Sequence, residues 1–142
     1  MSDDPVRDQY EAFPYPERDP ADEGRRLVTG SPSHLDELNH YVFAGRRDFT
    51  RPFRALVAGG GTGDGAIMLA QQLADRGPGE VVYIDLSGPA RHTAESRAAA
   101  RGLTNIRFET ASIEDLPGAG LGTFDYIDCC GVLHHWAIRR PA

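Results

Sequence analysis

Cysteine is scarce in this chain of 142 residues, which contains only the adjacent pair Cys129 and Cys130. Neighbouring residues of a strand point to opposite faces, so a disulfide between these two would be strained. We therefore expect buried free thiols. A metal site would need further ligands at suitable spacing, and His134 and His135 are the only nearby candidates. No other cluster completes a tetrahedral set, so the sequence predicts no metal site.

Long apolar runs and a surplus of basic residues are also missing. No stretch is long enough to cross a bilayer, and the N-terminus is acidic, unlike a secretion signal. A net charge of −6 and a pI near 5.3 disfavour a general nucleic-acid-binding surface. These features predict a cytoplasmic protein without a membrane partner.

The composition supports one hydrophobic core, since 40% of the residues are hydrophobic and nothing indicates a second domain. Residues 1–30 are rich in proline and charge, which predicts an extended or loosely helical arm. Residues 31–142 are predicted to form the domain, beginning with a helix over 33–47 that has Ser33 as its N-cap. The predicted apolar face of this helix consists of Leu35, Leu38, Tyr41 and Val42.

Strands and helices are predicted to alternate along residues 53–136. The predicted strands are 53–58, 80–85, 105–109 and 124–130, and the predicted helices are 64–76 and 88–101. Such alternation indicates a parallel sheet with helices on its faces. The expected fold is therefore α/β, with a Rossmann-like parallel sheet of about four strands and flanking helices, preceded by the N-terminal arm and helix.

A glycine-rich turn follows the first predicted strand, with five glycines between positions 59 and 65. Glycine allows a tight bend and lets a ligand approach the backbone closely. Asp85 ends the next strand, where a carboxylate can accept hydrogen bonds from ribose hydroxyls. This arrangement predicts an adenosine-containing ligand. The spacing of Gly59, Gly61 and Gly63 suits S-adenosylmethionine, whereas Gly61-x-Gly63-x-x-Ala66 matches a relaxed dinucleotide pattern, so both cofactors remain open at this point.

Four stretches of the chain resemble the class I S-adenosylmethionine-dependent methyltransferases: residues 56–63, 82–87, 111–117 and 124–136. The last stretch, FDYIDCCGVLHHW, is similar to the family pattern F-D-x-[VI]-x-x-x-x-V-L-H-H-[LW], which dehydrogenases do not usually show. The arm also resembles an N-terminal extension of some bacterial members. The resemblance implies an S-adenosylmethionine-dependent methyltransferase.

The resemblance further implies a cofactor site formed by Gly59, Gly61, Gly63, Asp85, Leu86, Ser112 and Ile113. The three glycines would line the methionine and ribose end of the cofactor, Asp85 would hold the ribose hydroxyls, and the remaining three residues would surround the adenine. The chain departs from the family at two positions. Ser112 replaces an acidic residue that commonly contacts the adenine, and Val57 replaces an acid that steadies the glycine loop in many members. These departures predict weaker cofactor recognition.

Methyl transfer from a sulfonium needs few catalytic side chains, because the cofactor is already activated. His134 and His135 are the candidates for a general base, since they follow the fourth strand at the carboxyl edge of the sheet. The alternative interpretation is that they only end the strand and line the pocket. The methyl acceptor is expected to be a small molecule or a protein rather than RNA, because the chain is acidic.

A complete fold of this family continues for three more strands, so we interpret the chain as a truncated methyltransferase with the cofactor-binding half only. The far edge of its fourth strand would then be exposed and available for self-association. Three hypotheses therefore remain: a methyltransferase, an NAD-dependent oxidoreductase fragment, and a non-catalytic self-associating module.

Overall fold

The computed structural model describes residues 18–24, 27, 34–118 and 120–129 of the chain. Its helices are a first 3₁₀ helix (Pro20–Gly24), α1 (Leu35–Tyr41), α2 (Asp64–Arg76), α3 (Gly88–Ala100) and a second 3₁₀ helix (Ile113–Gly118). Its strands are β1 (Arg54–Ala58), β2 (Glu80–Asp85), β3 (Ile106–Thr110) and β4 (Tyr126–Asp128). Strands and helices alternate from β1 to β3, as the sequence predicted.

The strands form one parallel sheet in the order β3-β2-β1-β4. Strand β1 lies between β2 and β4, with Leu56 level with Val82 on one side and with Ile127 on the other. Parallel strands end at the same edge of a sheet, so the loops that follow β1, β2 and β3 meet there. The prediction of an α/β fold with a four-stranded parallel sheet is confirmed.

Both faces of the central strands are covered, which explains why β1 and β2 are nearly continuous apolar runs. Val57 and Tyr83 belong to a core that also contains residues of α1, α2 and α3. Leu56 and Val82 point to the opposite face and pack with Leu121. The two clusters therefore pack on opposite faces of the sheet and fix the strand that leads into the loop after β1.

Helix α2 has the predicted bounds because glycines stand at both ends. Gly63 is the N-cap, with a φ of 108° in the left-handed region. Gly77 follows the last turn, where an added Cβ would lie 2.5 Å from the carbonyl oxygen of Phe49. Helix α3 begins as predicted at Gly88, where the Ser87 side chain accepts a hydrogen bond of 3.2 Å from the Ala90 N–H. It ends at Ala100, one residue before the predicted end.

The predicted helix over 33–47 is wrong in its length and its cap. Helix α1 covers Leu35–Tyr41, and His34 is the N-cap without a side-chain hydrogen bond. Asn39 explains the early end, because its side chain accepts from the Arg47 N–H and donates to the Arg47 carbonyl oxygen, both at 2.9 Å. The chain must turn back to make these bonds, and Gly45 has a φ of 74° in that turn. Leu35 and Leu38 are buried as predicted.

The other half of the predicted apolar face of this helix is exposed. Tyr41 is 81% exposed and Val42 is 56% exposed. Because the helix ends at Tyr41, Val42 does not continue the buried face of the helix. Within the arm that the sequence predicts to be extended or loosely helical, Pro20–Gly24 is a 3₁₀ helix that packs on α3. Ser33 and the aromatic residues at positions 10, 13 and 15 lie outside the described residues.

Strand β4 is shorter than the predicted strand over 124–130. It pairs with β1 through Tyr126–Asp128 only. Just before it, the Asp125 carboxylate accepts a hydrogen bond of 2.8 Å from the Arg54 N–H, so a side chain takes the place of a strand carbonyl. Strand β3 begins one residue later than predicted, at Ile106, and the side chain of the preceding Asn105 donates to the carbonyl oxygens of Ala70 and Gly79 at 2.9 and 3.1 Å.

Candidate functional site

The candidate site lies at the carboxyl ends of β1 and β2, around a glycine loop that we define as residues 59–63. Gly59, Gly61 and Gly63 have φ values of 67°, 57° and 108°. Residues other than glycine rarely adopt such φ values, so alternate positions of the loop require glycine. The loop then enters α2 directly, which brings the N-terminus of that helix to the same edge of the sheet.

Strand β2 holds the start of the glycine loop. The N–H groups of Gly59 and Gly60 both donate to the Ile84 carbonyl oxygen, at 2.8 and 3.2 Å. The Gly63 N–H donates to the Gly60 carbonyl oxygen at 3.1 Å, which closes the turn. The backbone of the loop is thus supported by hydrogen bonds before any ligand is considered.

Tyr83 in β2 supports the loop from below the sheet edge. Its hydroxyl donates to the Gly61 carbonyl oxygen at 2.5 Å. Its ring lies so close to Gly60 that an added Cβ would be 2.5 Å from the ring atoms Cδ2 and Cε2. Burial, helped by the charge of Asp85, raises the pKa of the Tyr83 phenol, so the hydroxyl stays protonated and can donate.

The role of Tyr83 was missed by the sequence interpretation. Val57 was expected to leave the loop without the acid that steadies it in many family members. Val57 is indeed a buried apolar residue. A phenol on the neighbouring strand, however, bonds the loop directly, and only the three-dimensional arrangement reveals it.

Asp85 lies at the end of β2 and is joined to the glycine loop. Its Oδ2 accepts a hydrogen bond of 2.8 Å from the Gly61 N–H, and its Oδ1 accepts one of 2.8 Å from the Ser87 N–H. The carboxylate is therefore fixed in orientation. Each carboxylate oxygen can accept more than one hydrogen bond, so both keep capacity for the hydroxyls of a ligand. The structure thus brings together Gly61 and Asp85, two of the residues that the sequence proposes for the cofactor site.

The segment after β3 approaches the same edge. The Ala111 N–H donates to the Asp85 carbonyl oxygen at 3.1 Å. Ser112 and Ile113 follow Ala111 in the chain, so they come close to the end of β2. Asp115 accepts hydrogen bonds from the N–H and the hydroxyl of Ser112, at 3.0 and 3.1 Å. The Ser112 oxygen can therefore act towards a ligand only as an acceptor.

Apolar groups complete this side of the site. Ile113 is half-buried and packs against the core cluster of Leu56 and Val82. Leu86, directly after Asp85, is also half-buried. Both residues therefore keep part of their surface accessible.

A second group of residues, missed by the sequence interpretation, lies behind the loop. Arg97 of α3 is fully buried and donates from Nη1 to the Thr62 carbonyl oxygen at 2.8 Å and to Asp64 Oδ1 at 2.9 Å. Its Nε donates to Glu23 at 2.9 Å. Burial raises the pKa of Asp64, but hydrogen bonds from Arg18 and Arg97 outweigh it and hold the pKa below the ordinary value of 3.8. An arginine in an alanine-rich helix gives no sequence signal of such burial.

The predicted catalytic candidates His134 and His135 lie outside the described residues. Cys129 is a free thiol and is half-buried rather than buried, and Cys130 also lies outside the described part. In the ranges that the structure describes, no cluster of three His, Cys, Asp or Glu could hold a metal ion. Within the same ranges, no helix has the length and apolar character needed to span a membrane.

Comparison with known proteins gives one family match. A family described as a methyltransferase domain matches residues 55–142. The ubiquinone biosynthesis O-methyltransferase of Neisseria meningitidis serogroup C is 31% identical over 117 residues, which are 82% of this chain and 45% of the relative. The chain thus spans less than half the length of this curated relative.

Two solved structures are also similar. PKMT2 from Rickettsia typhi in complex with AdoHcy has a TM-score of 0.51 and 26% identity, over 61% of this chain and 16% of that one. The magnesium protoporphyrin IX methyltransferase of Synechocystis PCC 6803 with bound SAM has a TM-score of 0.57 and 22% identity. The match covers 95% of this chain and 65% of the Synechocystis chain. This likeness concerns the fold alone.

Proposed function

Because the chain belongs to the family of methyltransferase domains, we propose that it binds S-adenosylmethionine at the glycine loop and serves methyl transfer. The class I methyltransferase fold inferred from the four sequence stretches is confirmed by the family match and by the parallel sheet. The activity itself is our proposal, since the chain spans 45% of the Neisseria relative.

The observation that carries the proposal is the pairing of Gly61 with Asp85. The Gly61 N–H and the Asp85 carboxylate hold each other at 2.8 Å, at the point where two parallel strands end. Crevices at this edge of a parallel sheet are the usual place for nucleotide ligands. A carboxylate fixed beside a glycine turn can accept hydrogen bonds from ribose hydroxyls, which supports the proposal.

The residues at this edge fit an adenosine cofactor. We propose that Asp85 accepts hydrogen bonds from the ribose hydroxyls and that Gly59, Gly61 and Gly63 present backbone to the methionine and ribose end. The adenine would contact Leu86, Ser112 and Ile113. The Ser112 oxygen suits an amino group, because its own proton is used by Asp115. When bound, the cofactor supplies an activated methyl group, and the protein holds and orients it.

Calorimetric titration of the purified chain tests this proposal. We expect saturable binding of S-adenosylmethionine and of S-adenosylhomocysteine, and none of NADH. Asp85→Asn keeps the side-chain size but removes the charge and one acceptor, so affinity should fall by about tenfold or more. Asp75→Asn is the matched control, since Asp75 is an exposed carboxylate on α2 that bonds only Gln71 among the described residues.

Two outcomes would contradict the proposal. Binding of NADH without binding of S-adenosylmethionine would favour the oxidoreductase hypothesis, which the relaxed glycine pattern allows. A folded chain that binds neither ligand would mean that the family likeness does not extend to cofactor binding in this chain.

We propose that the methyl acceptor is a small molecule or a protein, and that His134 or His135 removes its proton where the reaction needs a base. Phenolic small molecules are the first acceptors to test, because the Neisseria relative is named as an O-methyltransferase. In a radiolabelled methyl-transfer assay, His134→Gln or His135→Gln should lower the turnover number without changing the affinity for S-adenosylhomocysteine. An unchanged turnover number in both variants would support the alternative, that the histidines only line the pocket.

We also propose that the chain can self-associate through β4. Within the described residues, β4 pairs on one side only, and Ile127 is 48% exposed. Size-exclusion chromatography with light scattering should then show a dimer whose fraction rises with concentration. Ile127→Lys should abolish it, whereas Val42→Lys, at an exposed apolar residue away from the sheet, should not. The division at residue 30 and the cytoplasmic location stay predictions.

A further inference from the structure

The charged group behind the glycine loop consists of Arg18, Glu23, Asp64, Arg97 and Arg101. Glu23 is buried and accepts from Arg97 Nε at 2.9 Å with Oε2 and from Arg101 Nε at 2.6 Å with Oε1. Arg18 donates to both carboxylate oxygens of Asp64, at 2.8 and 2.7 Å. Arg97 bonds both acids. The group therefore joins the segment 18–24 to the start of α2.

We propose that Arg97 is a positioning residue for the cofactor site, which couples the segment 18–24 to the shape of the glycine loop. The proposal rests on the proposed function in one respect, because it takes the glycine loop to be the place where S-adenosylmethionine binds. Arg97 itself acts through the loop and the helix start.

The contacts of Arg97 explain why it controls the loop. On one side, Tyr83 and Asp85 hold the carbonyl oxygen and the N–H of Gly61. On the other side, Arg97 holds the next carbonyl oxygen, that of Thr62, and the side chain of Asp64. The loop is thus fixed at consecutive peptide groups from two different elements. Loss of the second anchor removes the hydrogen bond that fixes the Thr62 carbonyl oxygen, which weakens the orientation of this part of the loop.

A purely stabilising role does not account for this arrangement. Burying an arginine is costly, and buried ion pairs commonly contribute less stability than apolar residues of the same volume. Arg97 carries an extra cost, since its Nη2 has no hydrogen-bond partner in the described part of the chain. The guanidinium offers instead a planar fork that can bond a carbonyl oxygen and two carboxylates at fixed angles. Such a fork is suited to fixing the orientation of a loop.

The segment 18–24 is connected to the glycine loop through Arg97. Glu23 acts on the loop through Arg97, because it fixes the guanidinium that bonds the Thr62 carbonyl oxygen. The segment 18–24 and the glycine loop share Arg97 as a hydrogen-bond partner, so ordering of one favours ordering of the other. By reciprocity, ligand binding at the loop must favour the ordered segment to the same extent. A substitution at Glu23 should therefore alter the glycine loop, although Glu23 is 74 residues from Arg97 in the chain.

The test measures amide hydrogen exchange by NMR in the full chain without ligand, and the affinity for S-adenosylhomocysteine by calorimetry. The variants are Glu23→Gln, which keeps the shape and removes the charge, and Arg97→Lys, which keeps the charge and removes the fork. Arg76→Gln is the matched control. Arg76 also pairs with an acid that is distant in the chain, Asp36, 40 residues away, but this pair is exposed and lies at the opposite end of α2.

We expect both variants to exchange the amides of residues 59–63 about tenfold faster or more, with the amides of β1 and β2 changed much less, and to bind S-adenosylhomocysteine about tenfold more weakly. The control should match the wild-type chain in both readouts. A uniform rise in exchange over the whole sheet would mean a structural role only and would overturn the proposal, as would wild-type exchange and affinity in a folded Glu23→Gln variant.

The two readouts separate this proposal from the proposed function. If Arg97→Lys does not fold, Glu23→Gln decides the outcome, because it leaves the arginine in place. If the wild-type chain does not bind S-adenosylhomocysteine, the proposed function fails. In that case a selective rise in loop exchange would still support the coupling, and its absence would overturn it.

Discussion

Gly60 and Tyr83 illustrate how single residues define the loop. The Tyr83 ring occupies the space that a side chain at position 60 would need. The phenol also keeps the Gly61 carbonyl oxygen hydrogen-bonded. Leaving this partly buried carbonyl oxygen unpaired would be costly, so the hydroxyl of Tyr83 has a structural purpose that phenylalanine could not serve.

The first prediction concerns Gly60→Ala. The new Cβ would lie 2.5 Å from the Tyr83 ring, so the ring or the loop must move. We expect a loss of about 1–3 kcal/mol in the free energy of unfolding, measured with urea. Gly88→Ala is the control, because a Cβ added there would have no atom within 4 Å and the residue is in a helix. A Gly60→Ala variant as stable as the control would show that the ring moves away freely.

The second prediction concerns Tyr83→Phe. Removal of the hydroxyl leaves the Gly61 carbonyl oxygen without its 2.5 Å hydrogen bond, and we expect a loss of about 1–2 kcal/mol. Affinity for S-adenosylhomocysteine should fall with it, because the loop loses one anchor. Equal affinity in the variant and the wild-type chain would mean that Asp85 alone orients Gly61.

The third prediction concerns pH and Asp64. Its pKa is lowered in the folded chain, against burial, by Arg18 and Arg97, so the folded state binds the proton less well than the unfolded state. The stabilisation is therefore complete above the ordinary value of 3.8 and is lost as the pH falls through the lowered pKa. Asp64→Asn should be less stable than the wild-type chain at neutral pH, and the difference should shrink on acidification. A constant difference from pH 7 to pH 3 would contradict this assignment.

Among the elements, helix α1 shows how a side chain can override a helical pattern. The apolar spacing predicted a helix to residue 47, but the Asn39 side chain closes a turn with both backbone groups of Arg47. Patterns of apolar residues do not register such bonds, because they depend on where the chain goes after the helix. Helix α2 was predictable at both ends, since Gly63 and Gly77 interrupt the chain locally.

The fourth prediction follows for Asn39→Ala. The variant loses two hydrogen bonds of 2.9 Å in a partly buried turn, and we expect a loss of about 1–3 kcal/mol in the free energy of unfolding. Thermal or urea unfolding measures it, with Glu37→Ala on the exposed face of α1 as the control. A change no larger than that of the control would mean that the turn forms without its side-chain bonds.

For the molecule as a whole, the parallel α/β sheet could be predicted because it depends on local features, namely apolar runs that alternate with helices. A glycine turn and an acid at a strand end are local in the same way, so the sequence could point to one edge of the sheet as the candidate site. Tyr83 and Arg97 could not, because a tyrosine in an apolar strand and an arginine in a helix give no sign of their partners. All 15 basic residues of the chain are arginines, and the buried group behind the loop uses their forked geometry. Such long-range charge pairing is visible only once the fold brings residues 18–24 onto α3.

The most direct test of the central claim is a ¹⁵N NMR titration of the full chain with S-adenosylhomocysteine. Binding at the proposed site should shift the amide signals of Gly59, Gly61, Gly63, Asp85, Leu86, Ser112 and Ile113, and leave those of α1 unchanged. Shifts confined to other parts of the sheet, or no shifts in a folded chain at saturating ligand, would contradict the assignment of this edge as the cofactor site.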